Sequence, residues 1–167
     1  MKKLYMKQEI LSVIDRFYIK DENEEDRYLI EGDYIQVGGK KLHIKDLFDN
    51  ELLTIKQKLL SLLPKFFVLK NEEQVASIQK KIAFFGSKYI VEGPEWEVKG
   101  KIMKHDYTIL KDGNEIANIH KAWISWGDSY EITISDNVDD TLVLAVVLAI
   151  EMVLEQEIRN ADMTPQE

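Results

Sequence analysis

Apolar and polar residues alternate with a period of two along most of the chain. Trp96, Val98, Gly100 and Ile102 fall on one side of such a stretch, and Glu97, Lys99 and Lys101 on the other. Tyr130, Ile132 and Ile134 alternate with Glu131 and Thr133, and Leu42 and Ile44 with His43 and Lys45. Successive side chains of a strand point to opposite faces, so this patterning predicts sheets covered on one side only. About twelve such strands fit the chain.

Polar turns recur between them. Ile19-Lys20-Asp21-Glu22-Asn23 returns as Ile44-Lys45-Asp46, as Leu69-Lys70-Asn71-Glu72, and as Leu110-Lys111-Asp112-Gly113-Asn114, with a last echo at Ile134-Ser135-Asp136-Asn137. The steps from 19 to 44 and from 44 to 69 are 25 residues each, the step from 69 to 110 is 41, and that from 110 to 134 is 24. The long step has room for one extra strand pair around Ile90 to Ile102. Asn, Asp and Gly tolerate the positive φ of tight turns, so each repeat reads as a hairpin.

The C-terminal segment breaks the pattern. From Leu142 to Leu154 only Glu151 is not apolar. Asp139, Asp140 and Thr141 supply N-cap candidates, and the acids suit the positive end of a helix dipole. A helix apolar on every side must be buried on every side. In a chain made otherwise of strands, that predicts a barrel closed around the helix, which also removes sheet edges. The expected boundaries are one domain over residues 1–159 and a polar tail over 160–167.

The chain has 167 residues, a net charge of −8 and no Cys, so disulfides and thiolate metal sites are excluded. The opening Met1-Lys2-Lys3 is followed by Lys7, Gln8 and Glu9 before any leader-like apolar run develops. The longest apolar run, Leu142 to Ile150, is too short for a bilayer. The expected location is the cytoplasm. Residues 1–84 carry +1 and residues 85–167 carry −9. Overall acidity argues against a nucleic-acid binder. Residues 40–81, however, hold nine Lys against five acids.

The chain resembles the LURP-one-related family, bacterial type. The matching stretches are Tyr5-Met6-Lys7-Gln8, the run from Ile55 to Pro64, Ile116-Ala117-Asn118-Ile119, the run from Trp123 to Tyr130, and the helix after Asp140. They span about Leu4 to Glu157. The resemblance implies the tubby-like fold, a closed antiparallel barrel of about twelve strands around a hydrophobic C-terminal helix. It also implies an acid at position 151, where Glu151 stands in place of an expected Asp. Tubby proteins, which share the fold, bind phosphoinositides through basic barrel residues, but that site has no residue-by-residue match here, and fold does not fix function.

No catalytic constellation emerges. His43, His105 and His120 have no metal-ligand spacing. Gly127-Asp128-Ser129 has the look of a lipase serine block, yet no His follows residue 120; Gly127-Asp128 reads as a hairpin turn between Trp126 and Tyr130. Gly38-Gly39-Lys40-Lys41 lacks the spacing of a phosphate loop and reads as another turn. Glu151 is either the acid of an enzyme with a pocket at the barrel mouth, or a structural residue that pairs with a Lys, Arg or backbone donor or lies at the barrel rim. Trp96, Trp123 and Trp126 read as packing. The candidate binding cluster is Lys40, Lys41, His43, Lys45, Lys56 and Lys58, suited to lipid headgroups or another anion, with Asp46, Asp49 and Glu51 nearby as the argument against it. The expected function is therefore a non-enzymatic binding or regulatory module without cofactor or metal, its partner an anionic phospholipid or a protein. If the helix is central, Val146→Asp places an unpaired charge in the core and abolishes cooperative melting; a soluble variant with an unchanged melting curve contradicts the arrangement.

Overall fold

The computed structural model describes residues 1–7, 16–35, 39–125 and 127–162. Among them, twelve antiparallel strands close into a barrel. They are β1 (Lys2–Lys7), β2 (Arg16–Asp21), β3 (Asp26–Ile35), β4 (Gly39–Lys45), β5 (Glu51–Gln57), β6 (Lys65–Lys70), β7 (Glu73–Ile82), β8 (Ser87–Glu92), β9 (Trp96–Lys101), β10 (Asp106–Lys111), β11 (Asn114–Ile124) and β12 (Gly127–Ile134). Each pairs with its sequence neighbour, and β1 also pairs with β12 to close the ring. A long helix, α1 (Asp140–Asp162), follows. This is the architecture that the alternation and the apolar helix predict. The helix runs three residues into the segment assigned to the tail; residues 163–167 lie outside the described part.

The inward set is the alternating one. Leu42, Ile44, Trp96, Val98, Tyr130, Ile132 and Ile134 are all buried, and α1 contributes an unbroken buried run from Val143 to Leu154. Wall and helix form one apolar cluster. Neither could exist alone: the helix has no polar side to give to water, and the wall has no other lining.

An even number of antiparallel strands sends alternate connections to opposite ends of the barrel. The repeated Lys-Asp turns all fall at one of them. There the structure explains the repeat. Strand register slips by one residue at Ile19/Lys20, Ile44/Lys45, Val68/Leu69 and Ile109/Leu110, just before the turn in each case. Asp21 and Asp46 then accept backbone hydrogen bonds from residues two and four further on, at 2.8–3.1 Å. A residue at positive φ completes each turn, Glu24 in one and Asp49 in the other. Asn71-Glu72 and Asp112-Gly113 are instead two-residue turns with both residues at positive φ, and the motif returns because Asp, Asn and Gly suit both kinds of turn.

The helix enters at the same end. Asp139 caps it, accepting from the N–H groups of Thr141 at 3.0 Å and Leu142 at 3.2 Å. Asp140 accepts hydrogen bonds from Lys2 Nζ and the Tyr28 hydroxyl, both at 2.7 Å, and so ties α1 to β1 and β3. Burial alone would raise the Asp140 carboxyl, but the hydrogen bonds from Lys2 and Tyr28 outweigh it and hold the group below its ordinary value. A depressed carboxyl contributes stability that is complete above its unfolded value of about 4 and is lost as pH falls through the lower folded value. Urea unfolding therefore finds Asp140→Asn less stable than the wild type by a constant margin between about pH 5 and 7, and that margin shrinks below about pH 4. A margin independent of pH down to pH 2 contradicts the assignment.

Candidate functional site

The two ends of the barrel differ in chemistry. The turns at the helix-entry end carry Glu22, Glu24, Glu25, Asp46, Asp49, Glu72, Glu95, Asp112, Asp136 and Asp139, ten acids with no Lys or Arg among them. At the helix-exit end, the described connecting residues 58–64, 83–86, 102–105 and 125 hold Lys58 and Lys104 and no acid.

Four of the six predicted binding residues gather near this exit end: Lys40 and Lys41 at the start of β4, Lys56 at the end of β5, and Lys58 just beyond it. Lys41 lies directly across from Lys56. Like charges in that position repel. Among the described residues Lys41, Lys56 and Lys58 make no ion pair. Lys40 is different: its Nζ lies 3.2 Å from Glu155 of the emerging helix. His43 and Lys45 stand further along β4 and are occupied. The imidazole of His43 bridges Asp33 and Glu51 at 2.8 Å each, while Lys45 is held by Glu31 at 2.5 Å and Asp49 at 3.0 Å. Lys45 belongs to the repeated Lys-Asp hairpin, as does Lys20, which binds Asp26. The six residues thus form an unpaired trio at one end, a lysine bound to the helix, and two structural residues. Of the proposed glycine turn, Gly38 lies outside the described residues, and Gly39 opens β4 at φ 76°.

Glu151 sits inside the barrel, one turn before the helix emerges, and its partner is neither Lys nor Arg nor backbone. His105 Nδ1 lies 2.8 Å from Glu151 Oε1. A carboxylate can only accept, so Nδ1 carries the proton, and in the neutral ring Nε2 accepts from the Tyr130 hydroxyl at 3.4 Å. The His105 and Tyr130 rings stack with centroids 4.4 Å apart. His105 closes a short 3-10 turn, Ile102–Lys104, in a left-handed conformation at φ 52°, which aims its side chain inward. The hydroxyls of Tyr89 and Tyr107 are buried, with no hydrogen-bond partner among the described residues. Burial first, and the charge of Glu151 second, push Tyr107 and Tyr130 far above the ordinary phenol value; for Tyr89 burial leads, followed by Glu157 and Glu151. All three stay neutral phenols at physiological pH. Sequence spacing gave no hint of the pair, because 46 residues separate His105 from Glu151.

The exit end also carries the features that sequence reasoning missed. Leu60 and Leu62 are fully exposed in the β5–β6 connection, and Phe84 and Phe85 are 96% and 88% exposed at the tip between β7 and β8. Leu59, Ile82, Met103, Trp123 and Ile158 add to this end. Trp96 is core, as predicted, but Trp123 is 80% exposed. Trp126 lies outside the described residues. Gly127 and Asp128 pair with Ile124 and Trp123, so both belong to β12 and not to the connection before it. The predicted Gly127-Asp128 turn is thereby corrected. Their only sequence signal was an apolar run placed where a turn should be, as in Ile82-Ala83-Phe84-Phe85-Gly86.

Beside these tips, a cleft of about 500 Å³ is lined by residues 57–62, Pro64, Val153, Gln156, Glu157 and Asn160. A smaller one, of about 240 Å³, lies between Lys40, Gln57, Met152, Glu155, Gln156 and Arg159. Glu151 lines neither. If His105 and Glu151 fasten helix to wall, His105→Gln and Glu151→Gln each destabilise by about 1–3 kcal/mol. In a double-mutant cycle by urea unfolding they couple by about 1 kcal/mol or more. Strict additivity contradicts the contact.

A family model described as LURP-one-related matches residues 2–151. The uncharacterised protein YxjI of Bacillus subtilis (strain 168) is 32% identical over 154 residues, covering 92% of this chain and 94% of its own length. The crystal structure of an Arabidopsis thaliana protein superposes with a TM-score of 0.66 at 13% identity, covering 91% of this chain and 90% of that one, and so shares the fold. Barrel, central helix and sequence agree, and the chain belongs to the LURP-one-related family, as a member of bacterial type.

Proposed function

We propose that this domain is a non-catalytic binding module that docks, exit end first, on anionic phospholipid membranes. The observation that carries this reading is the segregation of charge between the two barrel ends. Among the described residues, Lys41, Lys56, Lys58 and Lys104 stand at one end without ion pairs, while the ten turn acids crowd the other. A net charge of −8 would otherwise repel such a surface. The acids lie a strand length away, about 20 Å, which is beyond the Debye length of about 8 Å at physiological salt. A membrane at the exit end therefore meets the lysines and is screened from the ten turn acids. Of the acids closer by, Asp33 is engaged by His43, Glu155 by Lys40 and Arg159, and Glu157 by Lys80, while Asp106 lies 3.8 Å from Lys101; among the described residues Asp128 and Asp162 are exposed there.

Each Lys near an anionic surface contributes about 1 kcal/mol. Four give about 4 kcal/mol, which corresponds to a dissociation constant of about 1 mM and makes for weak, reversible docking. Enzymatic use of Glu151 is the competing reading. A catalytic acid needs an approach for substrate and a second convergent group. Glu151 has His105 beside it, but it is buried and lines neither cleft of the exit end, so among the described residues nothing offers a substrate an approach to the pair.

Co-sedimentation with phosphatidylserine-containing and pure phosphatidylcholine vesicles tests the proposal. Binding to the anionic vesicles alone is expected, weakening as salt rises. The double variant Lys41→Glu/Lys56→Glu should bind about tenfold more weakly or worse, with its melting temperature unchanged. No binding to anionic vesicles even at low salt contradicts the function.

A further inference from the structure

Electrostatic docking leaves one feature of the exit end without a purpose. Exposed apolar side chains scattered singly over a surface are ordinary, but several large ones gathered at one end need a reason. Here they stand at one end of the barrel, on three separate connections and near the end of β11. Phe84 and Phe85 occupy the tip between β7 and β8, with rings edge to face and centroids 4.9 Å apart, yet both remain exposed to solvent. Leu60 is fully exposed and also sits at φ 55°, a conformation that bulky side chains avoid, so neither packing nor backbone preference accounts for a leucine there. Met103 stands exposed on the 3-10 turn that His105 fastens to the helix, and Trp123 projects from the last hairpin.

We propose, on the footing of the anionic-membrane function, that Leu60, Leu62, Phe84, Phe85, Met103 and Trp123 are insertion anchors that enter the boundary between headgroups and acyl chains. The charge around them selects this occupant over others. Lys58 precedes the leucines and Lys104 follows Met103, so apolar tips alternate with cations at the level of the headgroups. A tryptophan is at home in the same layer. Amphipathic surfaces bind membranes by combining buried apolar area with attraction to anionic lipid, and neither term alone gives stable attachment. The lysines deliver the domain in the right orientation, and the tips hold it there. The interaction should therefore retain a component that salt does not remove.

The chain has no cysteine, so a single introduced thiol reports one place. Ser61→Cys lies between the two leucines, and Phe48→Cys lies in an exposed turn at the acidic end. Each variant is labelled with an environment-sensitive nitrobenzoxadiazole dye and mixed with vesicles of phosphatidylcholine and phosphatidylserine, with and without lipids brominated on the acyl chains. The expected result is a blue shift and bromine quenching at position 61, with no change at position 48. Phe84→Ser/Phe85→Ser should weaken binding by about tenfold or more at physiological salt, while its melting temperature is kept. Vesicle binding without quenching at position 61 overturns insertion and leaves electrostatic docking standing. Failure to bind any anionic vesicle overturns both. A blue shift at position 61 that grows with protein concentration in the absence of lipid identifies the surface as a contact between copies and also overturns insertion.

Discussion

Everything in this molecule depends on finding walls for a helix that has no polar side. From Val143 to Leu154 each residue of α1 is buried, so no single sheet could cover it. A closed barrel is the arrangement that supplies neighbours in every direction, and its strands in turn have their inward faces lined only by the helix. Polar contacts merely fasten the helix at its ends. Lys2 and Tyr28 hold Asp140 where it enters; His105 holds Glu151, Lys40 holds Glu155 and Lys80 holds Glu157 where it leaves. These contacts fix how far the helix is threaded, a register that nonpolar packing alone would define poorly.

Closure has a consequence for function. With strands committed to the core on one face, chemistry is displaced to the connections, which the antiparallel order sorts into two sets. One set is short and acidic, with bulges before several of its turns and exposed apolar residues only at Leu47 and Phe48 of one turn. The other carries exposed leucine and phenylalanine on several connections beside lysine. The domain is thereby polar along its axis. His105 ties the second set to the core, since the turn that presents Met103 is the one anchored to Glu151.

The fold was legible in the sequence because its signals are local. Period-two alternation placed Val98, Ile132 and Ile44 inside, the Lys-Asp repeat marked the hairpins, and the apolar run marked the helix. The site was much less so. Partnership across the barrel cannot be read from spacing, so the pairing of Glu151 with His105 was missed, and His43 and Lys45 looked available although both are engaged. The exposed tips were hidden for a different reason. Apolarity is read as burial, and Phe84, Phe85 and Leu60 reverse that rule. Only three-dimensional placement separates an apolar residue that fills a core from one that faces water.

The dependence of wall on helix can be measured directly by native-state hydrogen exchange across a denaturant series. If the helix is the core of a single cooperative unit, amides of residues 143–154 exchange only through global unfolding, with the same free energy and denaturant dependence as the most protected strand amides. Exchange of the helix through a cheaper, partial opening while the strands stay protected would contradict the account. It would show a barrel that stands without the segment taken here to hold it together.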